Sequence, residues 1–176
     1  MVITADMLRN KGACPAGYKD FCKTFEGGIE YQELLDYCCD HGRADYACWL
    51  LRRFGATSDV REIDGNYITD KSIVFAGSIK VTGRIEAGGH IKAGGHIKAG
   101  CGIEAGWSIE VGRSIEAGGH IEAGGCIKAG GHIEAGEGYG IYAGLRVRLD
   151  SPYRTIKAAQ KPANIMCGEW VEVDKP

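Results

Sequence analysis

Eleven isoleucines stand six residues apart without interruption: Ile73, Ile79, Ile85, Ile91, Ile97, Ile103, Ile109, Ile115, Ile121, Ile127 and Ile133. Two residues after most of them comes a small apolar residue, as at Ala87, Ala93, Ala99, Ala105, Val111 and Ala117, with a charge between the two. The unit I-[E/K]-A-G-x-x reads as a three-residue strand, in-out-in by the strand's period of two, followed by a glycine-rich corner expected to need unusual dihedrals. Such short strands cannot bury themselves as a flat sheet. Wound into a β-solenoid, each pairs its backbone with the coils on either side, and isoleucine stacks on isoleucine. The 28 glycines, most of them between Gly83 and Gly144, follow the same period, so they mark a repeat rather than disorder.

Three hexads make a coil of about 18 residues. Glu86, Glu104 and Glu122 then share one outward column. Lys80, Lys98, Glu116 and Glu134 form a second, and Val74, Lys92, Glu110 and Lys128 a third. Coils lie about 4.8 Å apart, so the all-glutamate column carries self-repulsion and is the candidate binding face. The plainer reading is a solvated face, screened by water and relieved by lysines around the corner. Twelve residues per coil would instead set Glu86 beside Lys98. Trp107, the one large aromatic in the hexads, is expected to project outward as a binding anchor or to fill a groove against the head.

Past Ile133 the spacing slips by two through Glu137–Gly140 and resumes at Ile141, Ala143 and Val147. Residues 150–164 read as a capping excursion, after which Ile165 and Val171, with Cys167 in the small inward position, rejoin the solenoid. Arg154, Lys157 and Lys161, preceded by Arg146 and Arg148, form a basic cluster that is a second candidate partner site. Ahead of the repeat, Thr4 caps a helix through Lys11 and Pro15 opens one to about Phe25. A third fits Glu30 to His41 and a fourth Ala44 to Phe54, before Gly55. The expected fold is α+β: a small all-α head over 1–60, then a hexapeptide-repeat β-solenoid over 61–176. Head and excursion are expected to cap the two ends, blocking end-to-end strand pairing.

Little in the chain points to catalysis. Cys14, Cys22, Cys38, Cys39 and Cys48 lack a CxxC knuckle, so they read as reduced core thiols rather than zinc ligands. His90, His96, His120 and His132 all end a hexad, but nothing interrupts the spacing between Ile73 and Ile133 to build a substrate pocket. No GxxxxGK[ST] accompanies the glycines. With 21 basic and 23 acidic residues, direct nucleic-acid binding is not expected. No apolar run approaches a membrane span and no leader pattern opens the chain, which makes a cytoplasmic protein the expectation. Neither cofactor nor metal is expected.

The IEAGGH and IKAGGH hexads resemble two families. These are the hexapeptide acyltransferases, with a left-handed β-helix and a histidine base, and the bactofilins, right-handed polymer-forming cytoskeletal proteins. The small residue at position three of the hexad is closer to the bactofilin phase; the acyltransferases place theirs at position five, where this chain has Gly89, Cys101, Trp107 or Arg113. The head, from MLRNKGAC to DYACWLLRRFG, is similar to the N-terminal segment of uncharacterised phage and prophage proteins. Together these imply a non-enzymatic protein-binding module, such as an inhibitor of a host nucleic-acid-binding defence complex acting by nucleic-acid mimicry or steric block. A self-assembling scaffold and an acyltransferase are the alternatives; a monomer or small homo-oligomer fits the inhibitor, and large concentration-dependent species the scaffold.

Overall fold

The computed structural model describes residues 1–146 and 151–173. Four helices build the head: α1 (Ala5–Asn10), α2 (Pro15–Thr24), α3 (Tyr31–Asp40) and α4 (Ala44–Phe54). Thr4 caps α1 by accepting the Met7 N–H, and Gly55, at φ 84°, stops α4. The head is not purely helical, because Val2–Ile3 and Ile29–Glu30 pair antiparallel. That two-residue ladder ties the N-terminus to the start of α3 and is too short to leave a pattern.

From Val60 the chain winds a parallel solenoid with three faces. The acidic face stacks Tyr67–Thr69, Ile85–Ala87, Ile103–Ala105, Ile121–Ala123, Ile141–Ala143 and Ile165–Cys167. The head-bearing face stacks Ile73–Phe75, Ile91–Ala93, Ile109–Val111, Ile127–Ala129, Thr155–Ala158 and Glu169–Glu172. The ladder face stacks Val60–Ile63, Ser78–Val81, Ile97–Ala99, Ile115–Ala117 and Ile133–Glu134. Ile85 pairs in register with Ile103, and Ile103 with Ile121, so a coil holds 18 residues and the 12-residue alternative falls. The solenoid starts one strand before Tyr67, since Val60–Ile63 pairs with Ser78–Val81.

Corner glycines have a different cause from the one expected. None of those closing the regular hexads has positive φ. A Cβ on Gly106 would instead meet the Gly88 carbonyl oxygen at 2.1 Å, and one on Gly118 the Gly100 oxygen at 2.1 Å. Tight stacking of coil on coil excludes a side chain there.

Two readings of the C-terminal part are corrected. The supposed excursion contains a regular strand: Ile156 pairs with Ile127, and Ile156 and Ala158 are fully buried. Asp150 and the expected Val147 position lie outside the described residues. In the last strand Trp170, not Val171, takes the inward column above Ile156, while Val171 pairs with the outward Lys157. Gly168, at φ 109°, lets the chain slip that residue.

The head packs against the side of its face as well as toward the end. Val74, in the outward column, is 2% exposed and belongs with Ala76 to the head's own core. Gln32 of α3 donates to the Val74 carbonyl (3.0 Å) and accepts the Ala76 N–H (2.9 Å), much as a neighbouring strand would. At the end of the solenoid Arg61 stands in the inward column below Ile79. Its guanidinium lies over the Phe75 ring, donates to the Tyr67 hydroxyl at 3.1 Å, and pairs with Asp36 of α3 at 2.7 Å. Lys71 reaches Asp40 at 3.0 Å. At the opposite end Glu172 pairs with Ala158 in an inward column, and Pro162 is buried beside Ile133 and Glu134. No helix among the described residues is long and apolar enough to cross a membrane.

Candidate functional site

Each face carries one outward residue per coil, and the three faces treat charge differently. On the ladder face Lys80 pairs with Glu62 at 3.0 Å and Lys98 with Glu116 at 2.9 Å. Hydrogen bonding to Lys98 holds the Glu116 carboxyl below its usual value, against the opposing effect of burial. On the head-bearing face Glu110 sits between Lys92 (2.8 Å) and Lys128 (3.9 Å). Burial alone would raise Glu110, but the Lys92 hydrogen bond and charge outweigh it and the net shift is downward. Both faces bridge lysine to glutamate between coils, although Lys80 also stands beside Lys98, Glu116 beside Glu134 and Lys128 beside Lys157.

The acidic face does not. Glu86, Glu104 and Glu122 stand directly in register. Relief comes from the adjoining corner, where Arg84 pairs with Glu86 at 3.2 Å and His120 meets Glu104 at 3.0 Å. Glu122 has no ion pair among the described residues. Arginine and histidine, rather than the expected lysines, stand around the corner from this column. The column runs on into apolar residues: Ile68 precedes Glu86, and Tyr142 follows Glu122. Ile68 is 50% exposed, and Met166 in the next strand 65%. The result is a flat strip, apolar at both ends and acidic in the middle.

Trp107 projects from the corner between the acidic and head-bearing faces and is 59% exposed, so it fills no groove against the head. The coils on either side have Gly89 and Gly125 at its position, and its ring stacks at 6.2 Å on His90. The basic candidates do not come together. Arg154 is half-buried at a corner, donating to the Cys167 sulfur at 3.2 Å. Lys157 lies on the head-bearing face in register with Lys128, and Lys161 lies beside His132 and Glu134 on the ladder side. Arg148 is outside the described residues.

The histidines are built into the corners. His96 donates its N–H to Ser78 Oγ at 3.0 Å, Ser114 donates its N–H to His96 Nδ1 at 3.4 Å, and Ser114 Oγ meets His132 Nδ1 at 3.0 Å. Serine and histidine alternate up that column. At a second corner His90 donates to Ser72 Oγ and accepts from the Ser108 N–H. Burial lowers the His90 pKa, in keeping with a neutral ring that accepts. Ser114, His132 and Glu116 (3.4 Å) have the connectivity of an acyl-transfer relay, but Ser114 is only 6% exposed. Among the described residues no group of three or more His, Cys, Asp or Glu is placed to hold a metal, and all eight cysteines are free thiols.

Several contributors escaped the sequence reading. Arg84 and His120 were detectable once the coil length was chosen, because each adjoins the glutamate column at a corner. Ile68, Tyr142 and Met166 were not singled out, because they interrupt the hexad pattern rather than extend it. Residues 1–73 match a family model described as the YdhT N-terminal domain, a span covering the whole head, the Arg61 plug and the first coil as far as Ile73. No curated protein and no solved structure matches the chain.

Proposed function

We propose that the chain is a non-catalytic docking module whose working surface is the acidic face, and that its partner is a protein presenting basic residues. One observation carries this: of three faces on one scaffold, two bridge lysine to glutamate between coils, while this one stacks three glutamates in register with no lysine in their column, between exposed apolar residues. A preformed face loses little ordering entropy on docking. Blocking a host defence complex is the form of this reading that the head's resemblance favours. Steric block suits it better than mimicry, since duplex DNA carries a charge about every 1.7 Å of axis, whereas the column offers three carboxylates about 4.8 Å apart. Arg61 and Glu172 in the inward columns at the two ends weigh against an end-joined scaffold.

The test is affinity capture from cells that encode the chain, comparing wild type with Glu86→Gln/Glu104→Gln/Glu122→Gln and with a matched ladder-face triple, Glu62→Gln/Glu116→Gln/Glu134→Gln. The expected result is a partner lost only with the acidic-face triple. Identical capture by all three proteins overturns the reading.

A further inference from the structure

Between α2 and the α3–α4 pair the head holds a cleft of about 360 Å³. Phe21, Leu34, Cys38 and Leu50, all buried, form its floor, with Tyr37 and Trp49 on the walls. A volume of this size, mostly apolar with a few polar groups at the edge, is that of small-molecule sites. Beside the cleft lies a polar vestibule lined by Lys19, Lys23, Asp20, Arg43, Asp45 and Tyr46. Asp20, Arg43, Asp45 and Tyr46 line both, so the apolar cleft and the charged vestibule share one wall.

The vestibule's charge is uneven. Arg43 is ion-paired with Asp20 and also lies 5.9 Å over the Tyr46 ring. Lys19 and Lys23, one helical turn apart on α2, are exposed and have no ion pair among the described residues. The vestibule therefore holds three cations against two carboxylates. The floor is uncharged: burial, with the nearby Asp45 charge adding to it, pushes the Cys38 thiol up to about 11.

We propose that this cleft binds a small amphipathic carboxylate, its apolar body between α2 and α3–α4 and its carboxylate at Lys19 and Lys23. A cationic amphiphile would meet the lysines with like charge, and a neutral one would leave them unused. The site lies in the head, apart from the acidic face, and stands or falls independently of the docking reading.

The full chain is titrated with hexanoate, octanoate and decanoate, with decan-1-ol and decyltrimethylammonium as charge controls, by calorimetry and amide NMR. Decanoate is expected to shift the Trp49 indole N–H and the α2 amides, with affinity rising about fourfold per methylene. Lys19→Glu/Lys23→Glu, both exposed, is expected to weaken decanoate at least tenfold with the melting temperature unchanged. No shift at Trp49 or α2 with millimolar decanoate overturns the site. Equal binding of acid, alcohol and cation, or an inert double variant, overturns the carboxylate assignment. Tighter binding of acetyl-Leu-Leu-Phe than of decanoate, at the same residues, overturns the small-molecule assignment in favour of a protein C-terminus.

Discussion

At the corners of the regular hexads, from Gly88 to Gly136, the position after the small inward residue admits no side chain, and this can be tested one atom at a time. Gly118→Ala would bring a methyl to 2.1 Å from the Gly100 oxygen. Coil spacing is fixed by the strands above and below, so the corner cannot yield, and overpacking of this kind costs about 1–3 kcal/mol. Urea unfolding should show a loss of that order, and a neutral variant would mean that the corners breathe. The glycine column itself was legible in the sequence. Its cause was not, because a period shows where glycine is needed without separating a positive φ from a close approach. A second residue-scale prediction concerns Glu110. Its folded pKa lies below the usual 4.5, so the stability it contributes is complete above that value and is lost as pH falls through the depressed one. Glu110→Gln should flatten the acid limb of a melting-temperature profile below pH 4.5. An unchanged limb would show that the pairs to Lys92 and Lys128 carry no linkage.

Among the elements, the helices were legible to within a residue or two, because Thr4, Pro15, Gly42 and Gly55 punctuate them. The attachment of head to solenoid was not. It depends on single departures from the repeat: Val74 where the outward column should be charged, and Arg61 where the inward column should be isoleucine. Each is one residue in a pattern read over many, and α3 had to be placed before either gained a partner. Gln32 completes the contact by satisfying a carbonyl and an N–H at the solenoid's side. Gln32→Leu keeps the volume but strands both groups under the helix, which should cost about 1–3 kcal/mol. Hydrogen exchange at Ala76 should rise in the same variant. If neither changes, water replaces the glutamine and α3 is held by its apolar contacts alone.

For the whole molecule the question is what keeps a stack of parallel coils from growing by adding another molecule. The core isoleucines would suit continuation, and exposed strand edges are templates for pairing. At the first coil the inward column carries Arg61, held by Asp36, with the head alongside. At the last coil it carries Glu172 in the column of Ala158, two residues after Trp170, while buried Pro162 lies by the ladder-face edge and offers no N–H. A carboxylate in that column must be desolvated before another coil can stack on it. Glu172→Ala removes this cost and restores the small residue that this column carries at Ala158. Sedimentation velocity of the variant should then show species that grow with concentration, whereas wild type should not. Glu172→Gln separates charge from shape: it should associate weakly or not at all, since the amide is still polar. If the alanine variant sediments like wild type across the concentration range, Pro162 and the outward glutamates are enough to close that end, and Glu172 is an ordinary surface residue.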